Sequence, residues 1–135
     1  MAIAGGCLCG AVRYELAQPP AAAVVCHCRN CQKQAGSAFS TIVATSDAEF
    51  SLTKGATKDY VDSATVSGNR VHRHFCGDCG SPIYSALEAQ PGAIYVKSGT
   101  LDSTEDFQPQ VHVWCSTKQP WVELPDGVPQ LAQQT

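Results

Sequence analysis

The chain has 135 residues, 44% of them hydrophobic, which is enough for one ordinary core and one domain and unlike a short disulfide scaffold. Nine Lys and Arg stand against 12 Asp and Glu, so there is no basic stripe for a nucleic-acid backbone. No apolar run nears the roughly 20 residues of a membrane helix, so neither a nucleic acid nor a bilayer is an expected partner.

Residues 11–16 alternate apolar and polar side chains after the turn at Gly10, the pattern of a half-buried strand, and Pro19 with Pro20 ends it. Val24 and Val25 form a short buried strand, and residues 29–35 favour a helical turn with Gly36 as its C-cap. Segments 39–44 and 48–52 are rich in β-branched and aromatic residues, and Lys54 with Gly55 turns the chain. Tyr60 with Val61 and segment 71–75 are further strands, separated by the polar loop 63–69. Ile83 with Tyr84, segment 94–96 and segment 111–114 complete the set, with turns at Pro91 and Gly92 and over 102–109. Short strands at turn-marked intervals, without a long amphipathic helix or an internal repeat, predict a mainly β fold. The expectation is a single domain of antiparallel sheets with short helical turns over residues 1–124. Residues 125–135, with Pro125, Gly127, Pro129 and a Gln-rich end, are expected to be a flexible tail.

Seven of the eight cysteines fall in three clusters: Cys7 and Cys9; Cys26, Cys28 and Cys31; Cys76 and Cys79. Such short spacings strain a disulfide but aim pairs of thiolates at one tetrahedral metal. The first residues lack a basic segment, and the apolar stretch 21–25 is too short for a secretion signal. Thiols held for a metal in a reducing cytoplasm are therefore expected. Seven clustered ligands suggest one closed site and one with a vacant position. The Cys76–Cys79 knuckle needs a second pair, either Cys7 with Cys9 or two of the Cys26 group. The simplest partition joins Cys7, Cys9, Cys76 and Cys79 and leaves Cys26, Cys28 and Cys31 open. A partition with His27 or His112 as a fourth ligand stays possible. Three thiolates around Zn²⁺ sum to a charge of about −1, a weak Lewis acid suited to holding a fourth, exchangeable thiolate.

The segments 6–14, 26–33, 73–80 and 99–102, with Gly36, Ser37, Phe39, Pro109, His112, Trp114, Lys118, Pro120 and Trp121, together resemble the glutathione-dependent formaldehyde-activating enzyme family, with its centromere-protein-V-type zinc domain. The resemblance implies a β-tent fold and two Zn²⁺ per chain. One would be structural on Cys7, Cys9, Cys76 and Cys79, the other of catalytic type on Cys26, Cys28 and Cys31. It further implies a carbon–sulfur lyase activity like that of S-(hydroxymethyl)glutathione synthase, with a small thiol such as glutathione as partner. His27, Arg73 and His74 would orient groups or transfer protons. Spacing adds that His27, lying between two ligands on an extended segment, points away from them, and that His112 and Trp114 share a strand face. Two other classes remain. A zinc-stabilised binding module would close the Cys26 site with a protein ligand. A methionine sulfoxide reductase would need the lone Cys115 as its reactive thiol; as a single cysteine it otherwise reads as a small buried hydrophobe.

Overall fold

The computed structural model describes residues 3–133, which form ten strands, one short helix and two single turns of 3-10 helix. A small antiparallel sheet contains β1 (Ile3–Gly6), β2 (Arg13–Leu16) and β5 (Phe50–Lys54) in the order β1-β2-β5. A large sheet holds β3 (Ala22–Cys26), β4 (Ser40–Ser46), β6 (Lys58–Asp62), β7 (Val71–Phe75), β8 (Pro82–Leu87), β9 (Ala93–Lys97) and β10 (Val111–Val113). Its order is β10-β3-β4-β9-β8-β7-β6. The fold is mainly β, as the turn-spaced apolar segments predict.

Alternation along the strands gives the large sheet two different faces. One face packs on the small sheet: Val43 and its partner Val96 join Val12, Tyr14, Leu16 and Ile94 in the core. A chain of rings crosses the interface: Tyr14 stacks 5.3 Å from Phe50, Phe50 lies tilted 4.7 Å from Tyr84, and Tyr84 stacks 4.2 Å from His74. The opposite face carries the residues in register with Cys26: Ser40 opposite Cys26, Lys97 opposite Ile42, Tyr95 opposite Ala44, and Ser85 opposite both Tyr95 and Arg73. No small sheet covers this side.

The helix α1 (Arg29–Ala35) and its cap at Gly36 form where sequence places them. Gly36 takes φ 67° and its N–H bonds the Gln32 carbonyl, while Cys28 caps the other end by accepting the N–H of Cys31 on its sulfur. Three features depart from expectation. Strand β1 was not foreseen, because Gly5 and Gly6 are poor strand formers whose pairing is imposed by β2. Strand β10 lies parallel to β3, so the large sheet is mixed rather than antiparallel. The expected tail makes contacts that sequence did not indicate: His112, Cys115 and Ser116 form backbone hydrogen bonds with Pro129, Leu131 and Ala132. Those carbonyls and amides pair with the free side of β10, which is otherwise an open edge.

Gly55 shows how closely the small sheet closes. It has φ 71°, and a Cβ there would lie 2.2 Å from the Ala11 carbonyl oxygen. Gly55→Ala therefore combines left-handed strain with a backbone clash and is expected to cost at least about 2 kcal/mol in urea unfolding. A variant as stable as the parent would show that the 11–12 turn can move aside.

Candidate functional site

Two groups of cysteines come together, and both follow from strand ends. Cys7 and Cys9 lie in the turn after β1, and Cys76 and Cys79 in the turn between β7 and β8. Their four sulfurs lie within 4.8 Å of one another. The Cys7–Cys9 and Cys9–Cys76 sulfur separations are 3.6 and 3.8 Å. A tetrahedral cation with metal–sulfur bonds of about 2.3 Å has edges of about 3.8 Å, so the donor set fits such an ion, zinc included. The two turns are built alike. Gly10 and Gly80 both take φ 80°, and backbone N–H groups of Val12 and Asp78 donate to the sulfurs of Cys7 and Cys76 at 3.2 and 3.4 Å.

These thiols cannot all ionise alone. Hydrogen bonds from the Ser81 hydroxyl and backbone hold Cys79 down to about 5. Cys9 is drawn down by the Ala11 N–H, but Cys7 and the other sulfurs outweigh it and push Cys9 up to about 12. A cation among the sulfurs removes that conflict, because opposite charge favours every thiolate at once.

The second group is Cys26, at the end of β3, with Cys28 and Cys31 at the start of α1. Their sulfurs also lie within 4.8 Å of one another, and they offer three ligands. Neither His27 nor His112 joins either group, so the histidine partition is not what the fold assembles. The three sulfurs floor a cavity of about 200 Å³. Ile42, Tyr95 and Trp114 form apolar walls, and the exposed Val66 of loop 63–69 stands at the rim. Within the cluster, hydrogen bonds from Cys26 and Cys28 pull Cys31 well below the usual thiol range, helped by Lys97 and Arg73. Hydrogen bonding to Cys28 and Cys31, and then burial, push Cys26 the other way.

Two buried cations face this floor. Arg73 donates Nε and Nη2 to Asp62 Oδ2, both at 3.0 Å, and Asp62 also accepts from Asn30 Nδ2 at 2.9 Å. Arg73 is thus fixed between β6, β7 and the helix. Lys97, at the end of β9, is 7% exposed and donates to the Ser40 hydroxyl at 2.5 Å. Behind the floor, the buried Gln32 donates to the carbonyls of His27 at 2.8 Å and Thr117 at 3.0 Å. It accepts from Gln119 at 3.2 Å, which ties α1 to the chain after β10.

Of the residues expected to serve the site, the seven cysteines and Arg73 are where the argument needs them. His27 is fully buried outside the cavity, its Nε2 3.0 Å from His112 Nδ1 and its ring edge-on to Phe39. His74 faces the core against Tyr84. Trp114 does not share a strand face with His112, because it leaves β10 at φ 58°, which turns it into the cavity wall. Cys115 is half-buried with its thiol toward the His112 carbonyl at 3.5 Å. Lys97, Asp62, Asn30, Ser40 and Gln32 were not foreseen. The alternation of segment 94–97 was the one available signal, since it sets Lys97 on the same face as Tyr95.

The sequence pattern of the glutathione-dependent formaldehyde-activating enzyme family matches residues 2–117. A Halomonas elongata protein named "Putative glutathione-dependent formaldehyde-activating enzyme" is 30% identical over 128 residues, covering 92% of this chain and 82% of its own. A crystal structure of a Rhodobacter sphaeroides protein superposes with a TM-score of 0.60 at 22% identity, over 76% of this chain and 91% of that one. That likeness concerns the fold.

The Asp62–Arg73 pair makes a stability prediction. Burial opposes the Asp62 charge, but Asn30 and Arg73 more than compensate and hold the carboxyl below its ordinary range. A carboxyl lowered in the fold stabilises above its unfolded value and loses that contribution as pH falls through its folded value. Asp62→Asn strands Arg73 and is expected to cost about 3–5 kcal/mol near neutral pH. The gap between variant and parent, measured by denaturant unfolding, should narrow with acid; a constant gap would refute the pairing as its source.

Proposed function

The chain belongs to the glutathione-dependent formaldehyde-activating enzyme family, and from that premise we propose that it is a zinc-dependent carbon–sulfur lyase-type enzyme acting on a small thiol and an aldehyde. The reaction is the joining of formaldehyde and glutathione to S-(hydroxymethyl)glutathione, or its reversal. Residues 1–124 form the catalytic unit, and eight unpaired thiols, seven of them clustered, suit a reducing cytoplasm.

The observation that carries this reading is the difference between the two sulfur groups. Cys7, Cys9, Cys76 and Cys79 supply a complete tetrahedron, the hallmark of a structural zinc. Cys26, Cys28 and Cys31 supply three corners, and the fourth direction is available to the cavity they floor. Zn²⁺ on those three sulfurs would hold a substrate thiol in its reactive thiolate form while leaving it exchangeable.

The chain's own groups prepare the rest. Addition of a thiol to an aldehyde forms one carbon–sulfur bond, and the thiol's proton ends on the former carbonyl oxygen. The apolar walls limit competing water around the reactants. Arg73, held by Asp62, keeps Nη1 without a protein partner among the described residues, and that donor is placed to orient a substrate oxygen. His27 lies behind the floor, where its contact with His112 fixes the loop carrying Cys26 and Cys28. Its part in the reaction is thus to position ligands.

Elemental analysis under reducing conditions should find two zincs per chain in the parent and one in Cys28→Ser. Adduct formation, followed by NMR of ¹³C-formaldehyde with glutathione, should be lost in that variant while its thermal transition survives. Full turnover with one zinc would sink the proposal and leave a structural zinc module.

A further inference from the structure

Lys97 is the only buried lysine among the described residues, and its surroundings do not balance its charge in the usual way. Burying an ammonium costs several kcal/mol unless an anion meets it. No carboxylate among the described residues lies within ion-pair distance of Nζ. Its one side-chain hydrogen bond goes to the neutral Ser40 hydroxyl. Arg73, which lines the same cavity, is of the same sign, and the Asp62 carboxylate is already committed to it. The only groups left to offset Lys97 are the sulfurs of Cys26, Cys28 and Cys31, whose charges all act on it favourably.

The balance has a consequence for what enters the cavity. Three thiolates on a divalent cation sum to −1, which would repel an anionic fourth ligand. Lys97 brings that end of the cavity to neutrality before the ligand arrives. Resting on the three-cysteine reading above, we propose that Lys97 is a specificity-determining residue that admits an anionic ligand, a thiolate, to the fourth position in preference to a neutral one. The thiol's proton passes to solvent as the thiolate binds, and no electrons are exchanged. Register supports the placement: Lys97 pairs with Ile42, two residues from Ser40, which itself pairs with Cys26, so all four share one face.

The test compares two small probes on the full chain loaded with Co²⁺, whose visible spectrum reports the fourth ligand. Azide is the anion and imidazole the neutral control. In Lys97→Met and Lys97→Gln the azide affinity should fall about tenfold or more, as expected for one charge removed at close range in a protein interior. Imidazole should change little, and Lys97→Arg should restore azide binding. Unchanged azide affinity would overturn the proposal, as would a parallel loss of azide and imidazole. So would loss of the second metal in both neutral variants, which would make Lys97 a structural counter-ion. If the parent holds a second metal and binds 2-mercaptoethanol there but the Lys97 variants match it, this inference alone fails. A parent without a second metal removes the three-cysteine reading as well.

Discussion

Everything in this fold leans on the approach of four sulfurs from two distant turns. Cys7 and Cys9 follow the first strand, and Cys76 and Cys79 cap a hairpin of the other sheet, so the cluster joins the small sheet to the large one. Cys7 and Cys76 are also members of the buried core. The metal-type cluster and the hydrophobic core are thus one structure. A metal ion held by the four sulfurs would add to that core a crosslink across almost 70 residues, which constrains the unfolded chain strongly.

Fixing one edge of the sheet pair frees another. The three-stranded sheet is too small to cover the large one, so it takes the face bearing Val43 and Val96 and leaves the face bearing Cys26, Ser40 and Lys97. That uncovered face is closed instead by irregular parts: the helix start, the rim loop 63–69 and the turn through Trp114. Irregular backbone is where reactive groups are commonly held, while the strands beneath supply rigidity. Gln32 links two of those parts through buried hydrogen bonds, which keeps the three-sulfur loop from drifting.

The three cysteine clusters were readable in the sequence because one or two residues between thiols restricts what they can bind, whereas spacing left their pairing into groups open. The helix at 29–35 was readable for a similar reason, a good helical run ended by glycine. Strand β1 and the parallel pairing of β10 were not, since both depend on partners far along the chain. Nor could composition separate Lys97 from the four other lysines. Its burial follows from the register of β9 against β4, a property of pairing and not of the residue. His27 marks the opposite failure. Alternation correctly turned it from the ligands, yet sequence had no means of giving it His112 as a partner 85 residues away.

The two sulfur groups end up in contrasting electrostatic settings, and this separates their chemistry better than ligand count does. Cys79 is lowered by hydroxyl and amide donors close in sequence, while Cys9, despite the Ala11 N–H, is raised by its neighbouring sulfurs, and no side-chain cation among the described residues pairs with either thiol. The Cys26 group faces two full positive charges brought from other strands, one tied to Asp62 and one to no carboxylate. Fixed cations beside an incomplete ligand set lower the cost of adding another anion without tightening the set already present. On the proposed reading, the buried lysine that lines the same cavity as the three sulfurs would serve a centre that takes up and releases an anionic ligand, a role that a purely structural centre would not require.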